Sequence, residues 1–102
     1  MKIFISYSHV DQFLVESQII DILTQAGHDV WFDERLVVGQ NWKKQLSNAV
    51  ATSDALVFAI SPESVKSKYC QWEVDQALDL NKPIFPVLVQ ARTPIPKKLD
   101  GI

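Results

Sequence analysis

Residues 54–60, Asp-Ala-Leu-Val-Phe-Ala-Ile, form a nearly unbroken apolar run of strand length. Such a run has no polar face to offer water, so it predicts a strand in mid-sheet, covered on both sides. Three other short runs are rich in β-branched and aromatic residues: Lys2-Ile3-Phe4-Ile5-Ser6, Asp29-Val30-Trp31-Phe32 and Ile84-Phe85-Pro86-Val87-Leu88-Val89. The last contains Pro86, which has no N–H for a ladder and therefore points to a place near the sheet edge. Longer segments with helical spacing lie between them. Over residues 11–26, Phe13, Val15, Ile19, Ile20, Ile22, Leu23 and Ala26 gather on one side, and Gly27 follows as a C-cap. Ser8-His9-Val10-Asp11 has the Ser-x-x-Asp form of a capping box before this helix. Trp42, Leu46, Ala49 and Val50 predict a second helix after Asn41, with Trp42 in the core. Ser61-Pro62 opens a third, running to about residue 81.

The order βαβαβαβ implies right-handed crossovers and a parallel sheet with helices on both faces, a flavodoxin-like three-layer α/β sandwich. The length of 102 residues, with 47% hydrophobic and 22% charged, suits one domain over residues 1–102. Four strands are present where a flavodoxin-like sheet normally has five. The expectation is therefore a truncated fifth strand, an N-terminal fragment of a longer protein, and an irregular tail over residues 91–102.

Composition removes several classes. The formal charge of −2, without a like-charge block, leaves no basic footprint for nucleic acid. No apolar run approaches the roughly 18 residues of a membrane helix, and the N-terminal run breaks at Ser6 too early for a secretory signal. The reading is a cytoplasmic domain with neither nucleic acid nor membrane as a direct partner. The single cysteine, Cys70, excludes an intrachain disulfide, and His9 and His28 have no Cys or His nearby at zinc-ligand spacing, so no metal is expected. Dinucleotide-binding and Walker loops need glycines after the first strand, and none stands there. A phosphoacceptor aspartate would end the third strand, which instead ends Ala59-Ile60-Ser61; a Gly-x-Ser-x-Gly elbow is absent.

Ligands of open parallel sheets collect beyond the carboxyl ends of the strands. Among the acids of the third helix, Glu73 stands out, because helical spacing places it with Tyr69, Cys70, Ala77 and Leu80 and no charged neighbour. A carboxylate on such a stripe is costly to bury without a hydrogen-bonding partner or a ligand. It is read either as a site residue or as a partly solvated structural acid at the stripe's edge.

Phe4-Ile5-Ser6-Tyr7-Ser8-His9-Val10-Asp11, the segment 33–42 with Leu36, Gly39 and Trp42, Ile60-Ser61-Pro62, and Ser67-x-x-Cys70-x-x-Glu73 together resemble a Toll/interleukin-1 receptor (TIR) domain of bacterial type. The resemblance runs over nearly the whole chain in the correct order. It implies a flavodoxin-like fold and one of two functions. The first is an NAD⁺ glycohydrolase that releases nicotinamide and leaves ADP-ribose or a cyclic isomer, activated by self-association with other TIR domains. The second is a non-catalytic adaptor that works through TIR–TIR contacts alone. A nucleotide sensor that binds without cleaving is a third, weaker reading. In the enzymes the catalytic glutamate lies three residues after the motif cysteine, which matches Glu73. Tyr7, Ser8, Asp33, Leu36, Gly39 and Tyr69 are carried over as substrate-binding positions, Tyr69 standing where the family often has Trp. Ser8 also reads as a simple N-cap, and Gly39 as a turn glycine. NAD⁺ is then the substrate, with no cofactor or metal required. A fused or associated sensor domain and a role in anti-phage defence come from the resemblance alone. Trp31 reads as core, Trp72 as a packing or assembly residue on a different helix face, and Cys70 as a small buried hydrophobe.

Overall fold

The computed structural model describes residues 1–32 and 42–99, with the backbone alone at Trp42. Strands β1 (Lys2–Ser6), β2 (Asp29–Trp31), β3 (Ala55–Ile60) and β4 (Ile84–Leu88) form one sheet in the order β2-β1-β3-β4. All three pairings are parallel, with Phe4 opposite Trp31, Ser6 opposite Phe58 and Ile60 opposite Leu88. This is a flavodoxin-like order; the alternation predicts the parallel sheet, and the structure supplies the order of its strands. Every residue of β3 is buried, as its unbroken apolar run requires, and β4 with Pro86 is the outer strand of the described sheet.

Strand alternation divides the core in two. Phe4, Leu56, Phe58, Ile60 and Ile84 face Leu46, Ala49 and Val50 of α3 (Trp42–Thr52) and Cys70, Val74 and Ala77 of α5 (Lys68–Asp79). Ile3, Ile5, Tyr7, Val30, Val57 and Ala59 face the opposite way. They pack with Val15 of α1 (Gln12–Val15), and with Ile19, Ile20 and Leu23 from the turns that follow.

Three expectations need correction. The first helix is not one regular α-helix: a 3₁₀ turn (His9–Asp11) leads into α1, then a π-helical turn (Glu16–Ile20), then α2 (Asp21–Gln25), with the backbone staying helical from Gln12 through Gln25. Val15, Ile19, Ile20 and Leu23 reach the sheet; the wider turn shifts the phase after Val15 and leaves Ile22 outside, whereas Phe13, 86% exposed, stands about 200° round the helix from Val15 and faces away from the sheet in any case. The third helix is likewise two, α4 (Pro62–Lys66) and α5, divided at Ser67, whose backbone is extended and whose hydroxyl accepts from Cys70 N. Trp31 is partly buried, packed against the α3/α5 side of the core rather than within it. Its Nε1 donates to Asp29 at 3.0 Å, and Lys2 Nζ lies 4.4 Å from its ring centroid.

Gly27 caps α2 as expected, at φ +92°, a conformation that side-chain-bearing residues rarely adopt. Beyond β4, the stretch expected to be irregular contains a 3₁₀ turn (Lys97–Leu99) that sinks Leu99 into the α3/α5 side of the core. No helix among the described residues is long and apolar enough to cross a membrane.

Candidate active site

Strand order reverses between β1, which turns toward β2, and β3, which turns toward β4. The crevice beyond the carboxyl ends of β1 and β3 is therefore the topological switch point, where open α/β sheets bind ligands. Ser6 ends β1 on the same face as Phe4, directed at α5. Its hydroxyl donates to Glu73 Oε1 at 2.8 Å. Glu73 is 0% exposed, on a buried stripe of α5 made by Cys70, Glu73, Val74 and Ala77 at i, i+3, i+4 and i+7. The acid is thus fully interior rather than at the edge of the stripe. A charged carboxylate is held there only with hydrogen bonds to offset its lost hydration.

A second polar cluster lies along the same carboxyl edge. Asp11, buried at the end of the 3₁₀ turn, accepts from Ser61 Oγ and, at 2.8 Å, from Gln90 Nε2. Ser61 is also the N-cap of α4, in a reciprocal box with Ser64, whose hydroxyl donates to Ala59 O at 2.7 Å. Asp11 therefore does not close a capping box on Ser8. Ser8 caps the 3₁₀ turn with its own hydroxyl, accepting from Val10 N at 3.4 Å.

The other candidate positions divide. Tyr7 is 2% exposed but lies in the opposite half of the core from Glu73, because adjacent strand residues point to opposite faces; its ring centroid is 6.2 Å from that of His9. Tyr69 is 51% exposed and outside the buried stripe, as is Leu80. With Lys43, Lys68 and Trp72 it lines a hollow of about 290 Å³ between α3 and α5. Trp72 also packs against the α3/α5 core. Asp33, Leu36, Gly39, Asn41, Gly101 and the side chain of Trp42 lie outside the described residues. Among the described residues, no three His, Cys, Asp or Glu side chains could share a metal ion.

The TIR domain family model matches residues 3–102. The chain belongs to the TIR domain family. The TIR chain is 30% identical over 103 residues to the probable 2′ cyclic ADP-D-ribose synthase TcpO of Methanobrevibacter olleyae, a match covering 97% of this chain and 30% of that protein. It is 25% identical over 89 residues to the 2′ cyclic ADP-D-ribose synthase BtTIR of Bacteroides thetaiotaomicron, covering 82% and 31%. This TIR chain therefore spans under a third of the length of either relative. Among solved structures, the TIR domain of the Toll-related receptor TRR-2 from Hydra magnipapillata superposes with a TM-score of 0.86 at 21% identity, covering 98% of this chain and 78% of that one. That likeness shows the fold.

In this TIR domain, the sequence singles out neither Ser6 nor Gln90 as a site residue, and marks Ser61 only as a helix start and motif position and Asp11 only as a cap and motif position. One signal was available for Ser6. It is a hydroxyl at a core-facing strand position two residues after Phe4, where the period of two calls for an apolar side chain.

Proposed function

We propose that this TIR domain is an NAD⁺ nucleosidase in which Glu73 is the catalytic carboxylate. The observation that carries the reading is a carboxylate anchored to the end of β1 at the sheet's switch point. In the proposed reaction the C1′–N1 bond of the nicotinamide riboside breaks, and nicotinamide leaves as a neutral molecule with the bonding electron pair. It was a cationic leaving group and needs no proton, so a partnered general acid is dispensable. A carboxylate facing the ribose orients its hydroxyls and stabilises the oxocarbenium-like charge left on C1′. Water then attacks C1′ and loses a proton to give ADP-ribose, or a hydroxyl of the ADP-ribosyl group does so to give a cyclic isomer. The two relatives named 2′ cyclic ADP-D-ribose synthases support the cyclic product.

Activation by TIR self-association, attachment to a sensor and a place in anti-phage defence belong to the same proposal, and the likeness to other TIR domains is their support. The complete burial of Glu73 favours one competing reading, a TIR adaptor in which this acid is purely structural. Nicotinamide release from NAD⁺ across a protein-concentration series, with Glu73→Gln alongside, separates them. The nucleosidase gives release that rises faster than linearly with concentration and disappears in a variant whose circular dichroism is unchanged. Assembly without turnover at any concentration supports the adaptor and rejects the nucleosidase.

A further inference from the structure

The hydrogen bond between Ser6 and Glu73 joins residues 67 positions apart, and both are fully buried. Burying a hydroxyl in an apolar layer brings no packing advantage over an alanine or valine, so its value at this position lies in what it bonds. Ser6 sits on β1, an inner strand of the sheet, and is fixed in register opposite Phe58. Its oxygen is therefore held by the sheet backbone, whereas a glutamate carboxylate hangs on three rotatable bonds. A donor mounted on a rigid strand selects one orientation of a flexible acid.

We propose that Ser6 is a positioning residue for Glu73, setting the orientation and the ionised form in which the carboxylate meets the substrate. The inference rests on the nucleosidase reading of Glu73. A hydroxyl has one proton to give, and giving it to Oε1 favours the carboxylate over the carboxylic acid. That is the form needed opposite a developing positive charge on the ribose. A carboxylate has about four acceptor positions, and Ser6 uses one of them. Among the described residues, the titratable group on the same buried stripe is Cys70, one turn earlier. The apolar cluster packed on that side includes Leu46, Ala49 and Val50 from α3, Phe4 from β1, and Leu56 and Phe58 from β3, and Ser6 is one of the groups that interact with Glu73 rather than all of them.

The test compares Ser6→Ala and Ser6→Thr with the unsubstituted protein in two measurements. One is the titration of the Glu73 carboxyl carbon by NMR in ¹³C-labelled protein. The other is the pH profile of kcat and KM for nicotinamide release. In Ser6→Ala the Glu73 midpoint rises, the acid limb of the rate profile moves up with it, and kcat falls roughly ten- to hundredfold with KM nearly unchanged. Ser6→Thr keeps the hydroxyl and restores both. A folded Ser6→Ala with an unmoved midpoint, or with faster turnover, overturns the proposal. If Ser6→Ala does not fold, Ser6→Cys offers a weaker donor of similar size; a smaller shift in the same direction supports the proposal and an unmoved midpoint overturns it. The two failures are distinguishable. An active protein with an unmoved midpoint removes Ser6 alone, whereas absence of turnover in the unsubstituted protein removes the nucleosidase reading of Glu73 whatever the midpoint does.

Discussion

Ser61 Oγ donates to Asp11 Oδ2, joining the end of β3 to the turn after β1 across 50 residues of sequence. Gln90, just past β4, donates to the other oxygen of the same carboxylate. One acid thus ties together the carboxyl ends of three strands, the rim on which a ligand of this fold rests. Asp11→Ala leaves the buried Ser61 hydroxyl and the Gln90 amide without that acceptor, and is expected to lower stability by about 2–4 kcal/mol in urea unfolding. Asp11→Asn keeps one acceptor oxygen and should lose less. A loss below about 0.5 kcal/mol for the alanine variant would show that the rim does not depend on this carboxylate.

The break between α4 and α5 makes Ser67 the cap of the helix that carries Glu73. Its hydroxyl accepts from Cys70 N at 3.3 Å. Ser67→Ala is expected to lower stability by about 1 kcal/mol, and Ser67→Asp by much less. The amides of Cys70 and Gln71 should also exchange faster with deuterium, because fraying starts at the uncapped turn. Unchanged exchange in the alanine variant would mean that packing of Cys70 and Val74, not the cap, fixes the start of α5.

β3 and β4 were legible in the sequence because an unbroken apolar run and Pro86 each have one comfortable place in a parallel sheet. The phase of the first helix was not, since a periodicity fixed at 3.6 cannot register the extra residue of the π turn at Glu16–Ile20. The break at Ser67 left a signal, a favoured capping residue in mid-segment, that the continuous pattern on either side concealed. Glu73 was legible as an acid among apolar neighbours. Its distance from Tyr7 was not, although alternation already places Ser6 and Tyr7 on opposite faces; which of them meets α5 depends on how the helices cross the sheet.

Cys70 lies one turn before Glu73 and is 1% exposed, so its reactivity reports the integrity of the site. Under native conditions a thiol reagent should modify it only through opening of α5 or of the whole domain, with a rate that rises with urea. Ser67→Ala should accelerate the reaction about fivefold, the factor that corresponds to roughly 1 kcal/mol. Immediate stoichiometric labelling of the native protein would contradict the burial of this helix face.

Tyr69 occupies the first turn of α5, and its half-exposed ring borders the hollow shared with Lys43, Lys68 and Trp72. Truncating an exposed ring of this kind has little effect on folding, and Tyr69→Ala should change stability by no more than about 0.5 kcal/mol. On the proposed nucleosidase activity its consequence should appear in catalysis, because a flat ring one helical turn from Glu73 suits stacking on nicotinamide. Stacking holds the substrate in its ground and transition states alike, so KM should rise several-fold in Tyr69→Ala while kcat stays close to that of the unsubstituted protein. Tyr69→Phe keeps the face of the ring and should behave as the original residue does. A rise in KM in Tyr69→Phe equal to that in Tyr69→Ala would assign the role to the hydroxyl. A KM unmoved in both would place the nicotinamide away from this hollow.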